Sequence, residues 1–132
     1  MTSENLRWML NQLADREGVR DVVLASSDGL PRACSQGLDR DDLDRFAAGL
    51  SAVCSTGAAL GELVSDSPAD WRQTMIEFER GLLLLVRGAE NSLLGVIIES
   101  GSEVEQVAYH AHELASQMGQ ALTTAPRRAD QQ

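Results

Sequence analysis

The chain has 132 residues, of which 43% are hydrophobic and 4% aromatic, and it carries a net charge of −9. This length and composition suit one globular domain whose core is built from aliphatic residues. The negative charge argues against nucleic acids and anionic membranes as partners, because proteins that bind them present basic patches. All eleven basic residues are arginines, which excludes a Walker A loop and Schiff-base chemistry, since both need a lysine.

The N-terminal part of the chain predicts a helix followed by a β-hairpin. The helix is capped by Thr2-Ser3 and closed by Gly18, and its apolar stripe consists of Leu6, Met9, Leu10 and Leu13. Val19–Ser26 is predicted to be a strand, and Leu30–Ser35 its return strand. Asp28-Gly29 lies between them and is the dipeptide most typical of a tight hairpin turn.

A second helix follows the hairpin and contains the most unusual segment of the sequence. Asp39 is predicted to cap it, with Asp41 and Asp42 in its first turn, where the helix dipole favours acidic residues. The segment Phe46–Gly61 carries no charge, and the helix is predicted to end near Ser65. Its large residues form a stripe suited to packing on a sheet: Leu43, Phe46, Leu50, Val53, Leu60 and Val64.

The rest of this helix consists of small residues, namely Ala48, Ser51, Ala52, Ser55, Thr56 and Ala59. A surface helix normally keeps a charged face toward water, and this one has none, so it needs a second cover. The segment is too short and too polar for a membrane span, which needs about 20 apolar residues. A second copy of the chain or a partner protein is the predicted cover, and a central place in a larger monomeric core is the alternative.

The second half of the chain predicts three strands after a loop at Asp66–Asp70. The predicted strands are Trp71–Glu79, Leu82–Arg87 and Leu93–Glu99. The last two are apolar on both faces, which is typical of strands that are covered on both sides. This pattern indicates a layer of helix on each face of the sheet.

A capping box from Ser102 to Glu105 predicts the start of the last helix, whose apolar side runs from Val104 to Leu122. One domain is therefore predicted at residues 1–122, followed by a flexible polar tail at 123–132. The element order α-β-β-α-β-β-β-α with short turns between strands predicts a five-stranded, mainly antiparallel sheet. The expected fold class is α/β (α+β), a three-layer α/β/α sandwich.

Residue types that carry chemistry form no recognisable active site in this sequence. His110 and His112 lie two positions apart on a helix and so face different sides, which argues against a metal site. Cys34 and Cys54 are expected to be reduced, buried thiols. Two aromatic residues are expected to anchor the packing: Trp8 and Trp71. We expect no catalytic residues, no metal and no cofactor, and an enzyme with a thiol nucleophile is the catalytic alternative.

Three segments together resemble the Roadblock/dynein-light-chain family, in particular its bacterial branch. They are GVRDVVLASSDGLPRACSQGLDRDDLDRFAAGLSAVCSTGAALG, RQTMIEFERGLLLLVRG and VAYHAHELASQMGQAL. The first is the most specific, because a strand, a hairpin, an acidic cap and an alanine-rich helix follow in order. The sequence is similar to the actinobacterial type, whose genes tend to lie beside those of a membrane sensor-kinase-like protein and a small Ras-like GTPase.

The resemblance implies a homodimer without catalytic residues of its own. In this family the second helices pack against each other, and the third strands pair edge to edge into one continuous sheet. On this chain the expected interface residues are Ala48, Ser51, Ala52, Ser55, Ala59, Trp71, Gln73 and Met75. We expect a protein partner to dock at the acidic start of the second helix, on Asp41, Asp42 and Asp44.

The expected function is that of a non-enzymatic homodimeric regulator or scaffold of a small Ras-like GTPase in a bacterial signalling system. The alternative is an interaction module for a membrane sensor-kinase-like protein without direct GTPase contact. The opening segment MTSENLRW has neither the basic nor the apolar region of a signal peptide. We therefore expect a cytoplasmic protein that a partner recruits to the membrane, without direct insertion.

Overall fold

The computed structural model describes residues 3–66, 71–89 and 91–124, which contain three helices and five strands. In chain order these are α1 Ser3–Ala14, β1 Val19–Ser26, β2 Pro31–Cys34, α2 Arg40–Gly61, β3 Gln73–Phe78, β4 Gly81–Arg87, β5 Ser92–Glu99 and α3 Val104–Thr124. The predicted element order is confirmed. β1 begins and ends at the predicted residues, Val19 and Ser26, because a turn residue lies on each side of it.

The five strands form one antiparallel sheet in the order β2-β1-β5-β4-β3. β5 lies in the centre, where Val96 is paired with Val22 of β1 and with Leu84 of β4. β2 and β3 occupy the two edges of the sheet. Short turns join β1 to β2, β3 to β4 and β4 to β5, and they explain why these three pairs are antiparallel, since a parallel pair needs a long crossover. The β1–β5 pair is also antiparallel, although its strands are distant in the sequence.

The two faces of the sheet bury separate apolar cores, as a three-layer sandwich requires. α1 and α3 cover one face, where Leu10, Val96 and Met118 are buried. α2 covers the other face, where Leu50 and Leu93 are buried. Each such side chain contributes about 1.5–3 kcal/mol when it leaves water. The prediction that the last two strands are covered on both faces is confirmed.

The β1–β2 hairpin forms at the predicted Asp28-Gly29 turn. Gly29 has a φ of +91°, a conformation that glycine adopts without a steric penalty. β2 is shorter than predicted, because Leu30 belongs to the turn, where its carbonyl accepts the Ser26 N–H at 2.9 Å. At its other end the Val22 N–H donates to the Ser35 hydroxyl at 2.8 Å, and the strand ends at Cys34.

The predicted end of α1 and the predicted start of α3 are wrong. α1 ends at Ala14, and Gly18 lies in the turn before β1, with a φ of +90°. A Cβ on Gly18 would overlap the Ser102 side chain, so the need for glycine comes from this contact and from the turn. The Ser102 hydroxyl donates to the Glu99 carbonyl at 2.7 Å, and α3 begins at Val104, after the position that the capping box predicts.

Trp8 does not anchor the packing of α1, contrary to the prediction. Its side chain is 63% exposed, whereas Leu6, Leu10 and Leu13 are buried. Trp8 follows Leu6 by two positions and therefore points about 200° away around the helix. It lies on the face of α1 that is turned from the sheet.

Several predictions concern residues outside the described part of the chain. They include the cap residue Thr2, most of the loop at 66–70 and the tail at 125–132. The side chain of Leu122 is also outside it, although α3 itself continues to Thr124, beyond the predicted start of the tail. Within residues 3–66, 71–89 and 91–124, no helix combines the length and apolar composition that a membrane span needs.

Candidate dimer and partner surfaces

α2 begins where the sequence predicts, because Asp39 caps its first turn. Asp39 is extended, with φ −78° and ψ 173°, and its Oδ1 accepts the backbone N–H of Asp42 at 2.8 Å. Asp41 and Asp42 lie in the first turn, where unpaired N–H groups and the helix dipole favour negative charge. The acidic start of α2 therefore has a structural role of its own.

The inner face of α2 lies close against the sheet. The residues that pack there as predicted are Leu43, Phe46, Leu50 and Val53. Gly95 of β5 permits the close approach, since a Cβ on it would lie 2.6 Å from Cζ of Phe46. The packing predicted for Leu60 and Val64 is wrong, because they are 57% and 89% exposed. The predicted end of this helix near Ser65 is also wrong, because α2 ends at Gly61, and Val64 is therefore not part of the helical stripe.

The outer face of α2 is uncovered in the single chain. Its exposed residues are Ala48, Gly49, Ala52, Ser55, Thr56 and Ala59, and we call this set the outer face of α2. Ser51 differs from the other predicted interface residues of α2. Its hydroxyl donates to the Ser27 carbonyl at 2.6 Å and ties the helix to the β1–β2 hairpin. The outer face of α2 is an apolar and weakly polar surface without a charge.

Trp71 packs within its own chain. Its indole lies against Gly57 of α2, where a Cβ would overlap the ring, and its Nε1 donates to Oγ1 of Thr74 at 2.8 Å. The packing role predicted for Trp71 is confirmed, and its side chain is half-buried. β3 runs from Gln73 to Phe78 and is shorter than the predicted Trp71–Glu79.

β3 is an edge strand that has β4 as its one neighbour in the described sheet. Gln73 and Met75, two of the predicted interface residues, lie on this strand and are exposed. Met75 is 44% and Phe78 57% exposed. An edge that presents backbone N–H and C=O groups together with apolar side chains is a template for pairing with another strand.

α3 reaches the same edge through His112, a contact that the sequence did not predict. Nε2 of His112 lies 2.5 Å from Oε1 of Gln73. Burial lowers the pKa of His112 below 6.5, and the positive charge of Arg72 lowers it further. A neutral imidazole that donates its Nε2–H to the amide oxygen fits this geometry. His110 lies on a different side of α3, with Nδ1 3.6 Å from Oε1 of Glu113, as its spacing predicts.

The three predicted partner-binding aspartates are exposed at the start of α2, and two of them pair with arginines of the same helix. Nε of Arg40 lies 3.2 Å from Oδ1 of Asp44, and Nη1 of Arg45 lies 4.0 Å from Oδ1 of Asp42. Exposed pairs of this kind contribute only about 0.3–0.5 kcal/mol, so a partner can replace them at little cost. Asp41 forms no ion pair within the described residues.

The cysteines and histidines do not converge on a common centre. Cys34 on β2 and Cys54 on α2 are free thiols, as predicted, but they are half-buried where full burial was expected. Both lie against the core on the α2 side of the sheet. In the described ranges, no group of three or more His, Cys, Asp or Glu side chains is arranged to hold a metal ion.

Asp21 is a buried acid whose burial is not among the features predicted from the sequence. It is 7% exposed, and its Oδ1 accepts a hydrogen bond from Oγ of Ser35 at 3.4 Å. Burial raises the pKa of Asp21 above 3.8. Gly37 lies against the carboxylate, since a Cβ there would be 2.7 Å from Oδ1. The available signal was an aspartate directly before the apolar run Val22–Ala25 of β1, which predicts a partnered acid.

The family model described as Roadblock/LC7 domain matches residues 7–98. A Roadblock/LC7 domain from Streptomyces avermitilis is 28% identical, with a TM-score of 0.82, 89% of this chain covered and 98% of that chain. A second structure of this domain from the same species is 32% identical, with a TM-score of 0.67, 83% of this chain covered and 94% of that chain.

A third solved structure, described as MglB with tetrameric arrangement, is 19% identical, covers 89% of this chain and 88% of that chain, and has a TM-score of 0.80. At this identity the likeness concerns the fold alone. Comparison with curated proteins gives no match. The family model runs from α1 to β5 and so includes the helix and the edge strand described above. The resemblance read from the sequence is confirmed, and the chain belongs to the Roadblock/LC7 family.

Proposed function

We propose that this chain is a non-enzymatic homodimer that regulates or scaffolds a small Ras-like GTPase in the cytoplasm of a bacterium. The observation that carries the proposal is that one chain presents both a chargeless, exposed helix face and an open strand edge. Membership of the Roadblock/LC7 family supports it, because the resemblance implies dimers and GTPase partners. A partner protein would recruit the dimer to the membrane.

The dimer uses the outer face of α2 and the edge of β3. Small side chains such as Ala52 and Ser55 let a second helix approach closely, and no charge has to be desolvated when it does. Antiparallel pairing of β3 with its own copy satisfies the two-fold symmetry of an isologous interface, in which the same patch meets itself. The exposed side chains of Met75 and Phe78 would be covered in such a pair.

Ala52→Arg should break this dimer, because it places an unpaired charge in the centre of the outer face of α2. Size-exclusion chromatography with light scattering measures the outcome as mass. The matched control is Ser116→Arg, which adds the same side chain at an exposed position of α3, in the opposite layer. The control should remain dimeric.

Two results would contradict the dimer. One is a wild-type mass near 14.3 kDa at every loading concentration. The other is an Ala52→Arg variant that stays dimeric and fully stable. The variant could also unfold instead of forming a folded monomer. Thermal unfolding of the wild type, followed by circular dichroism at several protein concentrations, then tests for an obligate dimer, because the stability of such a dimer rises with concentration.

The GTPase is expected to dock at the start of α2, on Asp41, Asp42 and Asp44. A GTPase switch region is ordered by the γ-phosphate and released after hydrolysis, so a partner that contacts it distinguishes the two nucleotide states. The ion pairs of Asp42 and Asp44 within α2 are weak and exposed, and they leave these carboxylates available to basic groups on a partner.

Asp41→Arg/Asp44→Arg should weaken binding of a co-encoded Ras-like GTPase while the dimer stays intact. Asp15→Arg/Glu17→Arg makes the same change of charge at exposed positions after α1 and should bind normally. Calorimetry with the GTPase loaded with GDP and with a GTP analogue measures both affinity and nucleotide preference. Equal affinity in both states would contradict recognition of the switch region.

The alternative function, a module for a membrane sensor-kinase-like protein without GTPase contact, would leave the GTPase titration flat in both states. Capture of the chain in a pull-down with the cytoplasmic part of the kinase would then support the alternative.

The isolated chain is itself expected neither to bind nor to hydrolyse GTP or ATP, because it has no lysine for a phosphate loop. Calorimetric detection of nucleotide binding at micromolar affinity would contradict this expectation.

A further inference from the structure

The second open edge of the sheet lies at β2, at the end opposite β3. The Ser35 N–H donates to the Val22 carbonyl at 2.8 Å, so this pair is a hydrogen-bonded position of the β1–β2 ladder. Because an antiparallel ladder alternates, the N–H and C=O of Cys34 point away from β1. Farther along the same edge, the Gln36 N–H donates to Oδ1 of Asn11 at 3.2 Å. α1 thus already supplies a hydrogen-bond acceptor for the backbone of Gln36, and the outward N–H and C=O of Cys34 lie two positions before it.

The β2 edge forms the floor of a groove of about 410 Å³ that lies between α1 and α2. α1 contributes Glu4 and Arg7, and α2 contributes Arg40 and Leu43. The four residues of β2 itself, Pro31–Cys34, complete the lining. The groove therefore joins an open strand edge, an apolar wall and charged side chains, which is the combination that peptide-binding edges use.

Three arginines converge on this groove, although the whole chain has a net charge of −9. Arg40 is paired with Asp44, whereas Arg7 and Arg32 are exposed and form no ion pair in the described part of the chain. Glu4 is the one carboxylate among the lining residues. A free guanidinium is suited to a carboxylate, because its planar fork donates two parallel hydrogen bonds.

We infer that the β2 edge binds an extended acidic segment of a partner protein by strand addition. The backbone of Cys34 supplies the main-chain hydrogen bonds, Arg7 and Arg32 select glutamate or aspartate, and Leu43 contacts the apolar part of the peptide. This binding goes beyond the proposed function and does not depend on it. β2 and β3 are opposite edges, so a chain that dimerises through β3 keeps its β2 edge open.

The probe is a short capped peptide of alternating glutamate and threonine that carries a fluorophore, and its comparison is the same peptide with lysine in place of glutamate. Threonine favours the extended conformation, and alternation places the acids on one side of the strand. Fluorescence anisotropy with the full-length chain should show saturable binding of the acidic peptide, about tenfold tighter than the lysine peptide. Higher salt should weaken it.

Arg7→Glu/Arg32→Glu should weaken binding of the acidic peptide by about tenfold or more. The same variant should reduce the difference in affinity between the acidic and the lysine peptide. The matched control is Arg16→Glu/Arg80→Glu, which changes the charge equally at exposed positions away from the groove and should bind as the wild type does. Amide NMR shifts caused by the peptide should centre on Pro31–Cys34. If the reversed charges unfold the chain, Arg7→Gln/Arg32→Gln makes the same test.

Three outcomes would overturn the inference. The first is that the acidic peptide shows no saturable binding or binds no better than the lysine peptide. The second is that binding survives when Arg7 and Arg32 are replaced, or that the NMR shifts lie elsewhere. The third is that the variants self-associate while the wild type ignores the peptide, because the arginines would then only protect an exposed edge from aggregation.

Discussion

Leu50→Ala is expected to remove a large part of the stability of the fold, whereas the same change at Leu63 should not. Leu50 is 1% exposed in the core under α2, and Leu63 is 83% exposed beyond the end of that helix. Both substitutions delete the same atoms. The difference between their free energies of unfolding therefore measures burial and not residue type.

The magnitude follows from how little the site can relax. A buried leucine replaced by alanine costs about 2–5 kcal/mol, and the cost is higher when the surroundings cannot close the cavity. Leu50 lies against Gly95 of β5, since a Cβ placed on Gly95 would be 3.0 Å from Cδ2 of Leu50. β5 in turn is held between β1 and β4. We expect a loss of about 3 kcal/mol, and less than about 0.5 kcal/mol for Leu63→Ala.

Urea unfolding followed by far-ultraviolet circular dichroism measures both losses. All variants are compared at one protein concentration, because dimerisation would make stability concentration-dependent. The m values should stay unchanged, and the melting temperature of Leu50→Ala should fall by about 10 °C. A loss below about 1 kcal/mol at Leu50, or equal losses at both leucines, would refute the assignment of the inner face of α2.

The helix cap, the Trp71 contact and the buried acid each give a further prediction. Asp39→Ala should cost about 1 kcal/mol through loss of the N-cap hydrogen bond, Asp39→Asn much less, and thermal melts compare the two. Gly57→Ala should push the Trp71 indole out of place, shift its fluorescence to the red and cost about 1–3 kcal/mol, and an unchanged spectrum would contradict the contact. The folded state raises the pKa of Asp21 above 3.8, so its stabilising contribution is fully present below that value and is lost as pH rises through the folded pKa. The free energy of unfolding of Asp21→Asn should therefore increase relative to that of the wild type as pH rises. A difference between the two that does not change with pH would contradict this.

The layers of the fold could be predicted from the sequence because their signals are local. Asp28-Gly29 marks a turn wherever it stands between two apolar runs, and Asp39 caps α2 through a bond to a residue three positions away. The apolar runs of β4 and β5 indicate burial on both faces without reference to any other element. These signals were enough for the element order and the three-layer sandwich.

The details of the surfaces could not be predicted in the same way, because they depend on contacts between distant elements. A helical period shows which residues share a face but not where the opposite layer ends, so the period places Leu60 in the core although its side chain is exposed. For the same reason Trp8 and Trp71 could not be told apart, although one is exposed and the other packs on α2. The approach of His112 to Gln73 joins α3 to β3 and has no counterpart in local spacing.

The place of β5 in the centre of the sheet sets the order in which the protein can be assembled during synthesis. β5 is the last strand in the described residues, yet β1 and β4 both pair with it, and the pairing of Val19 with Ile98 joins residues that are far apart in the sequence. α1, β1, β2 and α2 leave the ribosome before the other elements, but one side of β1 has no neighbouring strand until β5 emerges. Such non-local pairing slows folding and leaves a strand edge exposed to aggregation. The sheet therefore stays incomplete until β5 has been synthesised, because a nascent chain that stops short of β5 lacks the strand that joins β1 to β4.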